Sequence, residues 1–316
     1  MTVITSCVDV GQGDCTVILD QDSRFAMLVD CPAGMHSRVL AELEGLGYAE
    51  LRVVIVSHSH MDHLGGVLEV IEAVGERFTG TLHFNQDSFM VTPVAGEDRH
   101  VAGRKLRALV NRASEFGDRV HRAEPPASAG TVGAFAWRVL APTYAEILSA
   151  IAGANPNLAS GIVMLKVGAD VIVIGGDAQL STWQRLAGTI PAGAVLRWPH
   201  HGGSLGPNPN ANQMVLDILE PQVVIVSVGA TNTHGHPSVD FFGAVGQRAT
   251  RLLCTQATAA CVAPGGSPGV CAGTVRIHSD GSGQVAVVPD TPNHLAVVAA
   301  FGNAQCLAAS YPANDN

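Results

Sequence analysis

Three histidines and one aspartate stand close together in the run His58-Ser59-His60-Met61-Asp62-His63. Imidazole nitrogens favour zinc and a carboxylate adds a harder oxygen ligand, so this mixed set is typical of a catalytic metal site rather than a closed structural one. The chain holds 13 histidines among 316 residues, and chance alone rarely gathers three of them in so short a run. We therefore predict a metal centre here.

Two further groups of possible ligands follow apolar stretches later in the chain. Asp177 comes after the stretch 171–174 and two glycines, and the pair His200-His201 comes after 194–199. Functional groups commonly gather where buried strands end in loops. A pair of adjacent histidines is by itself equally compatible with a helix cap or a surface feature, but its place at a strand end beside the other motifs favours a functional role.

Apolar alternation and β-branched runs indicate the elements that must position these residues. We predict strands near residues 3–8, 15–19, 25–30, 52–57, 133–140, 161–167, 170–175, 194–198, 223–227 and 273–278. Helical periodicity indicates three helices around residues 39–46, 67–74 and 214–219. Many strands are apolar throughout, so we expect an α/β fold of two packed mixed sheets with helices outside.

Composition limits the class of protein. A chain of 316 residues with 47% hydrophobic content supports one large core, and we expect a domain at residues 1–289 and a C-terminal tail at 290–316. No apolar run is long enough to span a bilayer and no signal-like segment is visible at the start, so we expect a cytoplasmic protein without a membrane partner. The seven scattered cysteines favour free thiols over a disulfide framework.

The net charge of −9 opposes binding of a polyanion unless a local basic patch exists. Such a patch occurs at residues 99–122, which hold seven of the 18 basic residues. A solvated amphipathic helix explains this run slightly better than a nucleic-acid contact does. Only Phe116 is available nearby for base stacking, so any contact with nucleic acid would be electrostatic and tolerant of sequence.

The run from His58 to His63 resembles the HxHxDH signature of the metallo-β-lactamase superfamily. The resemblance implies a four-layer αββα sandwich and two divalent metal ions, zinc by preference with manganese as the alternative. It further implies the following roles: His58 and His60 bind metal one; Asp62, His63 and His201 bind metal two; Asp177 bridges both; and Asp30, at the end of an apolar strand, orients a ligand histidine.

A finer resemblance covers residues 3–280 and involves the hydrolase domain of ComEC-type competence proteins. It rests on Asp9-Val10-Gly11-Gln12-Gly13-Asp14, on Pro199-His200-His201-Gly202-Gly203 and on the segment 227–237. No histidine stands where many superfamily members place a third ligand of metal one; the segment 154–160 corresponds to it instead. Asn157 and His236 are therefore pocket candidates, although His236 is equally compatible with a turn.

Together these features predict a metal-dependent hydrolase that uses a metal-bridging hydroxide, with Asp62, Asp177 and His200 as catalytic residues and His200 near the developing negative charge. The favoured activity is that of a phosphodiesterase or nuclease, with single-stranded nucleic acid as one possible substrate. The alternatives are hydrolysis of a carbon ester, thioester, lactone or lactam, and a metal-binding partner protein without turnover. The oligomeric state is not determined by the sequence.

Overall fold

The structure is a computed structural model that describes residues 2–85, 96–153, 155–248 and 250–304, with the backbone alone for residues 96–102. Its strands, in chain order, are β1 (Val3–Cys7), β2 (Thr16–Asp20), β3 (Phe25–Val29), β4 (Glu50–Ile55), β5 (Phe78–His83), β6 (Val120–His121), β7 (Ala129–Val132), β8 (Phe135–Ala141), β9 (Ile162–Val167), β10 (Asp170–Ile174), β11 (Val195–Arg197), β12 (Val223–Val226), β13 (Arg251–Cys254), β14 (Gln256–Ala257), β15 (Gly269–Val270), β16 (Val275–Ser279) and β17 (Ala286–Pro289).

The helices of the described part are α1 (His36–Leu46), α2 (Met61–Leu64), α3 (Val67–Val74), α4 (Gly96–Ala113), α5 (Tyr144–Gly153), α6 (Leu180–Arg185), α7 (Ala211–Leu219), α8 (Val239–Val245) and α9 (His294–Ala300). Two short 3-10 helices, Pro156–Ala159 and Pro199–Gly202, lie close to the residues of chemical interest. None of the described helices combines the length and the apolar character needed to cross a membrane.

Two large mixed sheets form the centre of the molecule. The first has the order β17-β16-β1-β2-β3-β4-β5-β6 and the second the order β13-β12-β11-β10-β9-β8-β7. Strands β3 to β6 are mutually parallel, and so are β10 to β13. Because parallel strands end at the same edge of a sheet, the loops after β3, β4, β10, β11 and β12 are brought together at one end of the sandwich.

Three hydrophobic clusters establish the layers. One contains inward side chains of both sheets, such as Ile18 and Ile55 of the first and Ile174 and Ile225 of the second. Another joins the outer face of the first sheet to α1, α3 and α4, and the remaining one joins the outer face of the second sheet to α6, α7, α8 and α9. The four layers are therefore helix, sheet, sheet and helix, which confirms the expected α/β class and αββα sandwich.

The local sequence patterns correspond closely to this fold. Each of the ten strand predictions meets an observed strand, and the three helical patterns are α1, α3 and α7. Cys7, Cys15 and Cys31 are free and buried, as expected. Within the segment expected as a tail, α9 packs Val298 into the core beside the second sheet. The boundary at residue 289 stays a prediction.

Candidate metal centre

Two groups of possible metal ligands face each other at the shared end of the two sheets. His58, His60 and Asp177 form the first group, and Asp62, His63 and His201 form the second; within each group the ligand atoms lie within 4.8 Å of one another. The structure thus brings together all six residues that the sequence assigns to a dinuclear site. Their roles as ligands stay a prediction.

Asp177 lies between the two groups. Its Oδ2 is 3.5 Å from His58 Nε2 and its Oδ1 is 3.3 Å from His63 Nε2. Gly176, just before Asp177, has a φ of +50°, and a Cβ on this residue would stand 2.6 Å from the carbonyl oxygen of Gly161. Only glycine therefore lets the chain turn here. The Asp177 carboxylate is therefore held where it can contact an ion in either group.

The residues present fit a bound cation. His63 Nε2, His201 Nε2 and Asp177 Oδ1 are buried, and none has a hydrogen-bond partner in the described part of the chain. Buried polar atoms without partners are rare and costly in proteins. Three such atoms directed at a common centre are explained by a divalent ion, which accepts lone pairs from each of them.

Hydrogen bonds on the far side of two rings leave the correct nitrogen free. His63 Nδ1 donates to Asp30 Oδ2 at 2.8 Å, and His201 Nδ1 donates to the Ser227 carbonyl oxygen at 2.9 Å. Because a carboxylate and a carbonyl only accept, the proton of each neutral ring is fixed on Nδ1. The lone pair then lies on Nε2, which faces the centre.

Asp30 and Ser57 form a hydrogen-bond network behind His58 and His63. Asp30 accepts hydrogen bonds from the Ser57 backbone N–H at 2.7 Å and from Ser57 Oγ at 2.6 Å. Ser57 Oγ also lies 3.1 Å from His58 Nδ1. Asp30 has a φ of +61°, a strained value for a residue other than glycine. The structure places Asp30 beside His63, a predicted ligand, whereas no pattern in the sequence pointed to Ser57.

The titration behaviour of these groups follows from burial among carboxylates. Burial alone would lower the pKa of His201, but Asp14, Asp62 and Asp177 raise this pKa to about 9. Burial likewise opposes the charged form of His63, yet Asp177 and Asp30 raise the pKa of His63 well above its ordinary value. Burial and the neighbouring His58 lower the pKa of His60 to about 3. Without a bound ion, the rings of His63 and His201 are therefore protonated near pH 7.

His200 lies at the rim of the centre, as predicted. Its backbone and that of His201 are both left-handed, with φ of 53° and 52°. His200 Nδ1 donates to the Ser204 carbonyl oxygen at 2.7 Å, and Nε2 lies 3.4 Å from Asn157 Nδ2 and 3.9 Å from Asp177 Oδ2. Asn157, which is buried, therefore reaches the same pocket.

His236 also reaches the pocket. Its ring centroid is 5.1 Å from that of His200, and its backbone N–H and carbonyl are both bound by the Asn232 side chain. A Cβ on Gly203 would stand 2.4 Å from His236 Nε2, so the ring occupies space that glycine leaves open. Burial and the nearby His200 and His201 lower the pKa of His236 to about 4, and the ring is neutral near pH 7.

Three supporting residues were not identified from the sequence. The Ser160 hydroxyl accepts the Asp177 backbone N–H at 2.7 Å and lies 3.3 Å from His58 Nδ1. Asp14 and Arg197 form a buried ion pair behind His201. The only available signal was that Asp14 and Ser160 belong to segments that resemble competence proteins.

Other histidines do not join the described ligand groups. His83 and His121 lie side by side at the ends of β5 and β6, with ring centroids 4.9 Å apart, in a crevice at the edge of the sandwich. The His100 side chain lies outside the described residues. The structure thus supplies no further histidine to the first ligand group from His83 or His121.

The basic run at 99–122 falls mostly on α4. Leu106 and Leu109 pack into the core, and Arg104 and Arg107 are exposed. Lys105 forms an ion pair with Glu69 of α3. The Arg99 side chain lies outside the described residues. This helix contacts α2, which carries Asp62 and His63.

Comparison with known proteins agrees with the resemblance seen in the sequence. Residues 8–77 match the family model of the Metallo-beta-lactamase superfamily. The chain is 24% identical over 237 residues to Recombination protein 2 of Haemophilus influenzae, a match that covers 73% of this chain and 25% of that protein. The chain thus spans about a quarter of the length of this curated relative.

Two solved structures were found to be similar to part of this chain. The metallo-beta-lactamase fold protein YhfI from Bacillus subtilis has 16% identity and a TM-score of 0.47, over 80% of this chain and 96% of that one. A mutant of the β-hydroxylase CmlA has 12% identity and a TM-score of 0.46, over 80% of this chain and 52% of that one. The family match and the observed layers together confirm the predicted resemblance to the metallo-β-lactamase superfamily.

Proposed function

We propose that this chain, whose residues 8–77 match the metallo-β-lactamase superfamily, is a metal-dependent hydrolase that binds two divalent ions and cleaves phosphodiester bonds. The observation that carries the proposal is the position of Asp177 between two groups of possible ligands, where His63 Nε2, His201 Nε2 and Asp177 Oδ1 are buried and have no hydrogen-bond partner among the described residues. Zinc is the expected metal and manganese the alternative, because nitrogen and oxygen donors are mixed.

Some residues of the site would hold the ions, and others orient the histidine rings that face them. His58, His60 and Asp177 would hold one ion, and Asp62, His63, His201 and Asp177 the other. Bound metal ions supply a water of lowered pKa, from about 15.7 towards 7, and polarise the phosphoryl oxygen. Asp30 and the Ser227 carbonyl fix the ring orientations of His63 and His201, so that little reorganisation is required when substrate arrives.

His200 would contact the non-bridging oxygens of the substrate. Its Nδ1–H is already donated to Ser204, so only the protonated ring can donate from Nε2 to developing negative charge. The neutral ring instead accepts from Asn157 Nδ2. Gln179 stands two residues after Asp177, where a carboxyl group could have served as general acid, and it cannot supply a proton to the leaving group.

Three features support a phosphodiester over a carbon ester or lactam. The bridging position holds a carboxylate rather than a cysteine, the segments around Asp14 and His200 are similar to those of competence proteins, and the relative over 73% of this chain is named for recombination. The basic helix α4 beside α2 would attract a polyanion. Single-stranded nucleic acid is therefore the polymer to test first.

The test is a comparison of substrates on protein of known metal content. Elemental analysis should find about two transition-metal ions per chain, and the loaded protein should hydrolyse a small chromogenic phosphodiester and single-stranded DNA. A thioester, a lactone and a lactam are assayed in parallel under the same conditions. Chelation followed by reloading should remove and restore the activity.

Three outcomes would contradict the proposal. A metal-replete preparation that carries no ion would exclude the dinuclear centre. Turnover of the thioester or lactone without turnover of either phosphodiester would assign the chain to the hydrolases of carbon esters, the runner-up function. Two bound ions without turnover of any substrate would instead support a metal-binding partner protein.

A further inference from the structure

A buried ion pair lies directly behind His201, on the side away from the ligand centre. Arg197 is the last residue of β11, and Asp14 stands in the loop between β1 and β2. Arg197 Nη2 is 3.0 Å from Asp14 Oδ1, and both side chains are at most 2% exposed. Arg197 also donates to Thr16 Oγ1 at 2.7 Å and to Ser227 Oγ.

Stability alone does not explain such a pair. Removing two charges from water costs about as much as their attraction returns, and apolar residues of similar size often serve a core equally well. The pair also leaves Asp14 Oδ2 and Arg197 Nε without hydrogen-bond partners among the described residues. The presence of this ion pair therefore has another explanation, which comes from the neighbours of Asp14.

Asp14 contacts two members of the second ligand group. Its Oδ1 is 3.4 Å from His201 Nδ1, and its backbone N–H donates to the Asp62 carbonyl oxygen at 2.9 Å. The preceding Gly13 makes this approach possible: a Cβ there would stand 2.7 Å from the Asp62 carbonyl oxygen. Asp14 thus forms a hydrogen bond with the backbone of Asp62 and places a negative charge behind His201.

The charge behind His201 affects how strongly the ring binds a cation. A carboxylate near Nδ1 makes the imidazole a better donor at Nε2 and lowers the electrostatic cost of placing an ion there. Ser227, whose carbonyl fixes the ring orientation, is uncharged and cannot replace this effect.

We propose that Asp14 is a positioning residue for the metal ion held by Asp62, His63 and His201, and that its negative charge, balanced by Arg197, sets the affinity of that site. The inference rests on the proposed function only in requiring two bound ions. It predicts that Asp14→Asn, which keeps the shape and removes the charge, weakens binding of one ion by about 10–100-fold and leaves the other unchanged.

The experiment measures metal binding without any substrate. Full-length Asp14→Asn and wild-type chains are titrated with Zn²⁺ by calorimetry and by competition with a chromogenic chelator, and with Co²⁺ to record the visible spectrum of each site. Asp170→Asn is the matched control, because Asp170 is also buried and accepts backbone N–H groups from Gly281 and Gly283 in a turn without predicted ligands. The control should bind both ions as the wild type does.

A double variant keeps the test decisive if Asp14→Asn fails to fold. Asp14→Asn combined with Arg197→Met removes both charges. Proteins commonly tolerate the replacement of a buried ion pair by uncharged residues. The proposal expects this folded variant still to bind the second ion at least about tenfold more weakly than the wild type. Recovery of wild-type affinity and of the Co²⁺ spectrum in the double variant would show that the pair is only structural and would overturn the inference.

The failure of this inference can be told from the failure of the proposed function. A wild-type chain that binds fewer than two ions overturns the dinuclear proposal and this inference with it. A wild type that binds two ions, with an Asp14→Asn variant of equal affinity, overturns this inference alone.

Discussion

At the scale of single residues, burial and charge are unusually concentrated around Asp177. Nε2 of His63, Nε2 of His201 and Oδ1 of Asp177 are buried and lack hydrogen-bond partners within the described part of the chain, while Nδ1 of each ring is hydrogen-bonded on the far side. A site that is preorganised in this way binds a cation without having to rearrange its ligands. Each residue therefore has a distinct expected effect when it is changed.

Asp177 and Asp30 should differ in the effect of the same substitution. Asp177→Asn removes the charge between the two ligand groups, so we expect binding of both ions to weaken by more than about 100-fold and most activity to be lost. Asp30→Asn leaves every ligand in place and disturbs only the orientation of His63, so we expect a loss of about 10–100-fold for one ion. Elemental analysis and calorimetry measure both effects. Wild-type metal content in both variants would contradict these roles.

The raised pKa of His201 predicts how the stability of the metal-free chain depends on pH. Its folded-state pKa is about 9 against an ordinary 6.5. Protonation therefore stabilises the folded chain fully below pH 6.5, and this contribution is lost as pH rises through 9. We expect the Tm of chelator-treated protein to fall over this range, and the fall to be smaller in His201→Gln. A Tm that is equally pH-dependent in both proteins would contradict the assignment.

At the scale of elements, the ends of parallel strands explain why residues far apart in the chain meet. The first motif follows β4, Asp30 follows β3, and Asp177 and the His200-His201 pair follow β10 and β11. These strands belong to two different sheets, so the centre lies where the ends of both sheets meet. Helix α4, which carries most of the basic run, contacts α2.

Helix α4 gives a prediction that separates a polymer from a small substrate. Arg104→Glu with Arg107→Glu reverses two exposed charges, whereas Lys105 is engaged by Glu69 and is left unchanged. We expect cleavage of single-stranded DNA to fall at least about tenfold at low salt and cleavage of a small phosphodiester to stay within about twofold, because only the polymer reaches the helix. Wild-type activity on DNA should also fall steeply with added salt.

A matched control is available on the opposite side of the molecule. Arg138 and Lys166 are exposed on β8 and β9, and their reversal to Glu changes the net charge by the same amount. This control should retain activity on both substrates. If the α4 variant loses activity on both substrates in parallel, the basic run is structural; if it loses neither, the helix does not guide the polymer.

At the scale of the whole molecule, the two ligand groups link the two sheets. His58, His60, Asp62 and His63 follow a strand of the first sheet, and Asp177 and His201 follow strands of the second. Ions bound by both sets would therefore connect the halves of the sandwich. A ligand that binds only the folded state stabilises it by mass action.

We accordingly expect metal to raise the thermal stability of the whole chain. At a free metal concentration about 100 times Kd, one site contributes about 2.7 kcal/mol, which corresponds to a Tm increase of several degrees. Differential scanning calorimetry with and without chelator measures the change. The increase should be much smaller in Asp177→Asn. Equal Tm values for loaded and stripped wild-type protein would contradict a link between the sheets.

Local patterns in the sequence determined ten of the 17 described strands, three of the helices and the six clustered ligand candidates. Each of these features is encoded by neighbours in the chain: alternation of apolar residues defines a strand, and a strand end followed by histidines or aspartate defines a possible ligand. The match of β9 and β10 to their predicted ranges, within one residue at each end, shows how directly such patterns correspond to structure. The resemblance of the HxHxDH run supplied the roles.

The tertiary structure decided which distant residues support those ligands. Asp14 and Arg197 are 183 positions apart, and Ser160 lies 102 positions from His58. Asp14 and Asp30 look alike in the sequence, since each is an acidic residue beside a strand. Only the packing of the two sheets places Asp14 behind His201 and Asp30 behind His63, because contacts between strand ends depend on sheet order and register, which no local pattern encodes.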